Sequence, residues 1–332
     1  MMIMTKFKNF PGKSVMKKTF SILCLLKLTS LFAINHSINP ERMLLPPIDI
    51  FSKQNKILNN DLVEVKKLSF DEKGNASNKS ETMTISLEEF QNYTRLASAV
   101  YKVEYSTNRS QEIIKGTAFH IGHGYILTNH HVLSKDRSNL DQCLNFSITD
   151  SKNHSNTFSC KKVHFCSQES DFCLIEINDA KQCKNFFCTK YNKLSFANNP
   201  SLKITKNSIR NEFPEKSMNP PFPFSDIDYP LMAIGNTLGL GTHVSIGKGF
   251  NLLTNNSTRF YAPIRAGNSG GPLINKAGIV VGVIKQESEE KNSNTAFNIA
   301  FNSDSIYEEL KQHFLINNNV EMLEILETLF QN

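Results

Sequence analysis

Tryptophan is missing from this chain of 332 residues, no segment recurs at a fixed period, and no Cys-x-x-Cys pair occurs. Without recurrence there is no basis for a solenoid or propeller. Without cysteines at that spacing a structural zinc site has no ligand set. Acidic residues are absent from residues 1–33, which hold Lys6, Lys8, Lys13, Lys17, Lys18 and Lys27. Those lysines account for the whole formal net charge of +6. The rest of the chain is neutral and gives no electrostatic argument for a nucleic-acid partner. A long apolar run is lacking too: the best one, after Met16, is short for a membrane span and is interrupted by Lys27.

What the chain contains is ordinary for a globular protein, 39% hydrophobic and 20% charged residues. Its length suits one large domain or two modest ones. Residues 1–33, reading "MKKTFSILCLLKLTSLFA" from Met16, set basic residues ahead of an apolar run that ends in small ones. They resemble a secretory signal peptide, which implies a secreted or periplasmic protein with no stable membrane span once the leader is removed. The cysteines agree. Cys24 lies in the leader, and an even six (Cys143, Cys160, Cys166, Cys173, Cys183, Cys188) cluster in one stretch, as disulfides in an oxidising compartment would. The near pairs Cys160/Cys166 and Cys183/Cys188 are spaced to close short hairpins. Cys173, inside the apolar run "FCLIEI", also reads as a reduced core residue.

Residues 34–85 are polar and broken by Pro, Gly and Asn, and read as an N-terminal extension, partly disordered or a propeptide. Ser86 and Glu89 have capping-box spacing for a short helix, after which "AVYKVEYS" reads as a strand. Short β-like runs then alternate with turns: "GTAFHIGHGYILTNH", "CLNFSITD", "SCKKVHFC", "DFCLIEI", "LMAIGN", "THVSIGKGF", "RFYAPIR", "GIVVGVIKQ" and "TAFNIAF". Many short strands without alternating helices imply an all-β barrel or sandwich. The Pro-rich "NEFPEKSMNPPFPFSDIDYP" reads as a surface loop, and residues 306–332 as a C-terminal helical tail.

One stretch asks for chemistry rather than packing. "RAGNSGGPLINKAG" sets glycines around Ser269 just before an apolar strand. It is either a bare tight turn or a turn whose amides must point at something. A serine nucleophile needs a base, the base needs an orienting acid, and the attacked carbonyl needs N–H donors where negative charge develops. The amides of Gly267, Asn268 and Ser269 can serve as those donors. "GYILTNHHVL" offers His130 and His131 as the base, and an extended segment would turn only one of them toward the site. Asp171, leading into the apolar "FCLIEI", needs a partner for its charge and suits the acid; Asp141, Asp150 and Asp228 lead into less apolar runs.

Taken in order, "GTAFHIGHGYILTNHHV", "SDFCLIEI" and "AGNSGGPL" resemble a trypsin-like (chymotrypsin-fold) serine protease, most of all its bacterial HtrA-like branch. "AIGNTLGLGTHVSIGKG" and "FNIAF" extend the resemblance over roughly residues 95–305. The resemblance implies two six-stranded antiparallel β-barrels with a C-terminal helix, and a protease domain at 86–305. It assigns His131 as base, Asp171 as orienting acid and Ser269 as nucleophile, with an oxyanion hole at Gly267, Asn268 and Ser269. The substrates it implies are proteins or peptides, with no cofactor and no metal.

Departures accompany the match. The residues after Asp304 are too few for the PDZ domain that many HtrA-like enzymes carry, so a stand-alone protease domain is expected. Asn268 stands where digestive zymogens have an aspartate that pairs with a new N-terminal amine, so activation by that ion pair is not expected. By resemblance Pro263 lies at the base of the primary pocket and Asn298, Ile299 and Ala300 line its wall, which favours small or medium apolar side chains. Two other readings fit parts of the pattern. One is a non-catalytic binding or scaffold protein of the same fold. The other is a glutamyl-endopeptidase-like protease, for which His243 is the nearby histidine, although Gly271 replaces the serine usual there.

Overall fold

A computed structural model of the chain describes residues 45–71, 75–77, 81–106, 113–133, 146–150, 157–177, 200–206, 229–254, 256–288 and 297–331. The leader, Cys143, Cys183, Cys188, Asp141, Asp228 and most of the Pro-rich segment lie outside the described residues.

In chain order the extension supplies β1 (Leu45–Asp49), β2 (Lys56–Ile57), β3 (Leu62–Lys67) and β4 (Glu81–Ser86), then helix α1 (Leu87–Ala97). The capping box forms as spaced: Ser86 Oγ accepts from the Glu89 amide, and Glu89 accepts from the Ser86 amide. There follow β5 (Val100–Ser106), β6 (Ile113–Gly122), β7 (Tyr125–Thr128), the short helix α2 (His130–Leu133), β8 (Phe146–Asp150), β9 (Thr157–Phe158), β10 (Cys160–Ser167) and β11 (Phe172–Ile177). The second half holds β12 (Lys203–Thr205), β13 (Tyr229–Asn236), β14 (Thr242–Thr254), β15 (Ser257–Tyr261), β16 (Pro272–Asn275), β17 (Ile279–Ser288) and β18 (Phe297–Asn302). The chain closes with α3 (Ser303–Ile316), α4 (Val320–Leu329) and β19 (Phe330–Gln331).

Strands β13 to β18 close on themselves in the order β13-β16-β17-β18-β15-β14, because β14 also pairs with β13. This is a six-stranded antiparallel barrel. Strands β5 to β11 form a seven-stranded antiparallel sheet, β10-β11-β7-β6-β5-β8-β9, curled as a half-barrel. The architecture is the two-sheet, chymotrypsin-like one, with an extra strand in the first sheet and additions to the second. One addition is the extension, whose β1 occupies the β14 edge at Ile246, Val244 and His243. The other is β12, which lies parallel to both β17 and β19.

Alternation along each strand feeds two cores at once. On β11, Cys173, Ile175 and Ile177 fill the half-barrel, while Phe172 and Leu174 join the core between the sheets. There Phe172 stacks on Phe301 of the barrel at 5.6 Å. Ile48, Ile50, Val63, Val65 and Ile85 of the extension enter that same core. Leu231, Ala233, Phe260, Leu273, Ile284 and Ala300 fill the closed barrel.

The tail departs from a single helix. Asn318 takes a left-handed φ of 51°, and the side chain of Asn319 accepts from the Met322 amide at 3.2 Å, capping α4. Asparagine tolerates both roles, so "NNN" turns the chain where leucine spacing alone suggests continuity. Among the described residues no helix is long and apolar enough to cross a membrane.

His120 joins β6 to the approach to β12. Its Nε2 accepts from the Gly124 amide at 3.2 Å, so its Nδ1 carries the proton and donates to Pro200 O at 3.0 Å. Burial lowers its pKa to about 4, against a smaller upward pull from the Pro200 bond. A histidine held neutral in the fold stabilises it fully above the unfolded pKa of about 6.5, and that contribution declines as pH falls toward 4. Between pH 7 and 4, wild type should lose about 3 kcal/mol more unfolding free energy than His120→Gln, from a pKa difference of about 2.5 units. Urea titrations at both pH values check this; equal losses would mean that His120 is not held neutral.

Candidate active site

Strand β7 is buried along its whole length and delivers the chain into α2, a single helical turn. Because this segment is helical rather than extended, the two histidines separate by helix face. His130 is buried and His131 is exposed. Asp171 ends the β10–β11 turn with a left-handed φ of 56°, a conformation that aspartate adopts more readily than most residues. Both its carboxylate oxygens go to one residue. Oδ1 accepts the backbone N–H of His131 at 3.0 Å, and Oδ2 lies 2.8 Å from His131 Nδ1. This hold fixes the main chain and the ring together and selects the tautomer with the proton on Nδ1, leaving Nε2 with its lone pair. Asn129 adds a third tie, donating from Nδ2 to Asp171 O at 2.7 Å.

A disulfide between Cys166 and Cys173 crosses β10 and β11 at directly opposed positions and closes the turn that carries Asp171. This corrects both sequence expectations for these cysteines. Cys160 and Cys166 sit six residues apart on one extended strand, roughly 20 Å at about 3.3 Å per residue, too far for a bridge. Cys173, fully buried, is oxidised rather than a reduced core residue. Cys160 is disulfide-bonded as well.

Ser269 lies in the β15–β16 loop, half-buried. The loop's carbonyls are all hydrogen-bonded. Arg265 O accepts from the Asn268 amide at 3.1 Å, Ala266 O from Leu238 at 2.7 Å, Gly267 O from Thr117 Oγ1 at 2.6 Å, and Ser269 O from the Thr117 amide at 2.9 Å. Asn268 O likewise accepts from the Gly271 amide at 2.9 Å, so every carbonyl from Arg265 to Ser269 is committed. Among the described residues none accepts from the Gly267 or Ser269 N–H. Asn268 N–H is engaged by Arg265 O and so differs from its two neighbours. Its buried side chain is satisfied locally, donating to Arg265 O at 2.8 Å and to Thr237 Oγ1 at 3.2 Å. Gly267 and Gly270 take φ of 93° and 84°. A Cβ on Gly270 would lie 2.5 Å from Thr128 Oγ1 and 3.0 Å from Asn129 N. The serine loop is thus pressed against the end of β7, one residue before the histidine pair.

Sequence reading missed Thr117. Its hydroxyl also accepts the Asn236 amide at 2.8 Å, and its carbonyl takes the Thr128 hydroxyl at 2.7 Å. It lies inside a quoted motif, but the Gly267 carbonyl that its hydroxyl meets is 150 residues away, and nothing local announces it.

The other candidates fall as follows. β18 pairs with β15, Asn298 opposite Phe260 and Ile299 opposite Arg259. Asn298 is buried and donates to Ala262 O at 2.8 Å, beside Pro263, whose carbonyl accepts from Ser245 Oγ at 3.0 Å. Alternation puts Asn298 and Ala300 on one face and Ile299 on the other. His243 sits on β14 opposite Asp49 of the extension, buried, with Nδ1 2.9 Å from Gly241 O. Burial holds its pKa below the ordinary histidine value, partly offset by Asp49. Asp150 ends β8 opposite Tyr101. Among the described residues no cluster of three or more metal-ligating side chains occurs.

The family model described as trypsin-like peptidase domain matches residues 116–283, a span that holds Thr117, His131, Asp171 and Ser269. Among solved structures the chain is similar to the Rv3671c protease from M. tuberculosis in its active form, at 14% identity and a TM-score of 0.47, covering 66% of this chain and 82% of that one. It is also similar to a serine endoprotease from Yersinia pestis, at 19% identity and a TM-score of 0.47, covering 69% of this chain and 66% of that one. No curated protein matches.

Replacing Thr117 by valine would leave Gly267 O and the Asn236 N–H buried without that partner. The cost should be about 2–4 kcal/mol, whereas Thr117→Ser, which keeps the hydroxyl, should stay within about 1 kcal/mol of wild type. Denaturant unfolding of the two variants tests this.

Proposed function

The chain belongs to the trypsin-like peptidase family, and from that premise we propose that it is a serine endopeptidase acting through an acyl-enzyme intermediate. Ser269 Oγ attacks a peptide carbonyl while its proton passes to His131 Nε2, giving a tetrahedral intermediate. The carbonyl oxygen, now negative, is met by the Gly267 and Ser269 amides. Asp171 keeps the His131 ring oriented and stabilises the imidazolium. That imidazolium returns its proton to the departing amine as the C–N bond breaks. Water then attacks the ester by the same route, releasing the acid and restoring the hydroxyl. The observation that carries this reading is the pair of hydrogen bonds that the Asp171 carboxylate accepts from the His131 main chain and ring, since the ring bond puts the proton on Nδ1 and leaves Nε2 as the ring's only proton acceptor.

In this reading Pro263 is the base of the pocket for the residue before the scissile bond, and the main chain of Asn298, Ile299 and Ala300 is its wall, the Ala300 side chain being part of the barrel core. No carboxylate belongs to that set, so Lys and Arg lack a charge partner and small or medium apolar side chains are preferred. Export is supported by the Cys166–Cys173 disulfide, which persists in an oxidising compartment.

A fluorophosphonate probe should label the folded wild type and leave Ser269→Ala unlabelled. Asp171→Asn, with the tautomer no longer fixed, should lower kcat by roughly 10⁴-fold on a peptide substrate. Absence of labelling in folded wild type would favour a binding protein of the same fold.

A further inference from the structure

The proposed chemistry makes no use of the N-terminal extension, yet the extension reaches the loop that carries Ser269. After β3 the chain forms a hairpin closed by Ser77 N–H to Ser69 O at 2.7 Å and Asp71 N–H to Asn75 O at 2.8 Å, with Phe70 bridged to Ala76. The Arg265 guanidinium lies over the Phe70 ring, 4.8 Å from its centroid. Arg265 is also the residue whose carbonyl receives both the backbone and the side-chain N–H of Asn268, and one of its guanidinium nitrogens folds back to Ile264 O at 2.9 Å. The residue in contact with the extension is therefore also the acceptor that closes the turn from Arg265 to Asn268, the turn that contains Gly267 and leads into Ser269.

The hairpin has a firm base. β1 is paired to β14 and β3 to β1, Leu68 N–H reaches Pro47 O at 2.7 Å, and Ile48, Ile50, Val63 and Val65 are buried in the core shared with the barrel. A removable cover would not contribute so many fully buried side chains to the body it covers. Arginine over an aromatic face gains from both charge and stacking, and its flat group holds one orientation.

We propose that Phe70 is a positioning residue: stacked on Arg265, it fixes the Arg265–Asn268 turn, and the extension is a permanent brace of the oxyanion amides. Its kinetic consequence rests on the serine-endopeptidase reading; its structural consequence does not. Hydrogen–deuterium exchange in the Ser269→Ala protein reads the turn without any activity. Phe70→Ala should speed exchange of the Asn268 amide about 10-fold, and Phe70→Tyr should restore the parent rate. In the protein with Ser269 intact, Phe70→Ala should lower kcat about 10-fold with KM little changed, because the amides bind charge only in the transition state. Phe70→Tyr should recover it. Should Phe70→Ala fail to fold, Arg265→Gln removes the cation and keeps the carbonyl, and the same acceleration is expected. Exchange equal to the parent in a folded variant overturns the proposal, as does a rise in kcat, which would make the contact inhibitory. Lack of hydrolysis by wild type itself would count against the endopeptidase reading alone, and the exchange result would still decide the brace.

Discussion

Thr117 Oγ1 makes one hydrogen bond in each role across the seam between the two sheets, donating to Gly267 O and accepting from the Asn236 N–H. The site depends on that seam. His131 and Asp171 belong to the half-barrel, and Ser269 with its neighbouring amides belongs to a loop of the closed barrel. Neither sheet holds the complete proposed set, so a shift of about 1 Å along the seam would separate groups that the proposed mechanism needs together. Apolar contact between the sheets resists separation but fixes lateral position poorly. Directed bonds to buried partners, costly to leave unmade, add the missing specificity.

Each half of the site is then stiffened by its own local device. On the half-barrel, the disulfide closes the turn before β11, and Asp171 commits both oxygens to His131. On the barrel, the carbonyls of Arg265, Ala266, Gly267 and Ser269 are all hydrogen-bonded, which holds the main chain of the loop in place. The glycines at 267 and 270 supply the positive φ values this requires, and Gly270 also allows the loop to meet Thr128 and Asn129 without a Cβ in between.

Much of this was legible in the sequence, for identifiable reasons. Strands buried on both faces write themselves as apolar runs, and glycines around a serine mark a turn whose backbone is in use. The capping box at Ser86 and Glu89 is a local signal and formed as read. Misreadings arose where partners are distant or conformation is set by neighbours. The Cys166–Cys173 link depends on which residues oppose each other across two strands, not on spacing along one. The histidine pair was pictured on an extended segment, but a helical turn separates its members. The "NNN" break is a conformational property of asparagine that leucine periodicity does not register. The burial of β1 and β3 was hidden by flanking polar turns, and Thr117 by separation in the chain.

Two histidines with depressed pKa lie on the seams to the additions, whereas the serine loop carries no Asp, Glu or His. Asn268, a neutral amide satisfied by Arg265 O and Thr237, gives that loop no charge to lose, where an aspartate paired with an amine would make its order depend on pH. His120, by contrast, ties β6 to the approach to β12, and His243 faces Asp49 where the extension meets the barrel. Burial depresses the pKa of both, so each stabilises the fold above the unfolded histidine value and withdraws that contribution as pH falls below it. Protonation would put a positive charge on an imidazole whose surroundings suit the neutral ring. Part of the linkage free energy therefore lies where β12 and the extension attach, and part lies at His164 and Glu176 on β10 and β11, whose pKa values are lowered as well. Since the extension also touches Arg265 through Phe70, the proposed brace would carry any loosening of the His243 seam to a serine loop that has no Asp, Glu or His of its own.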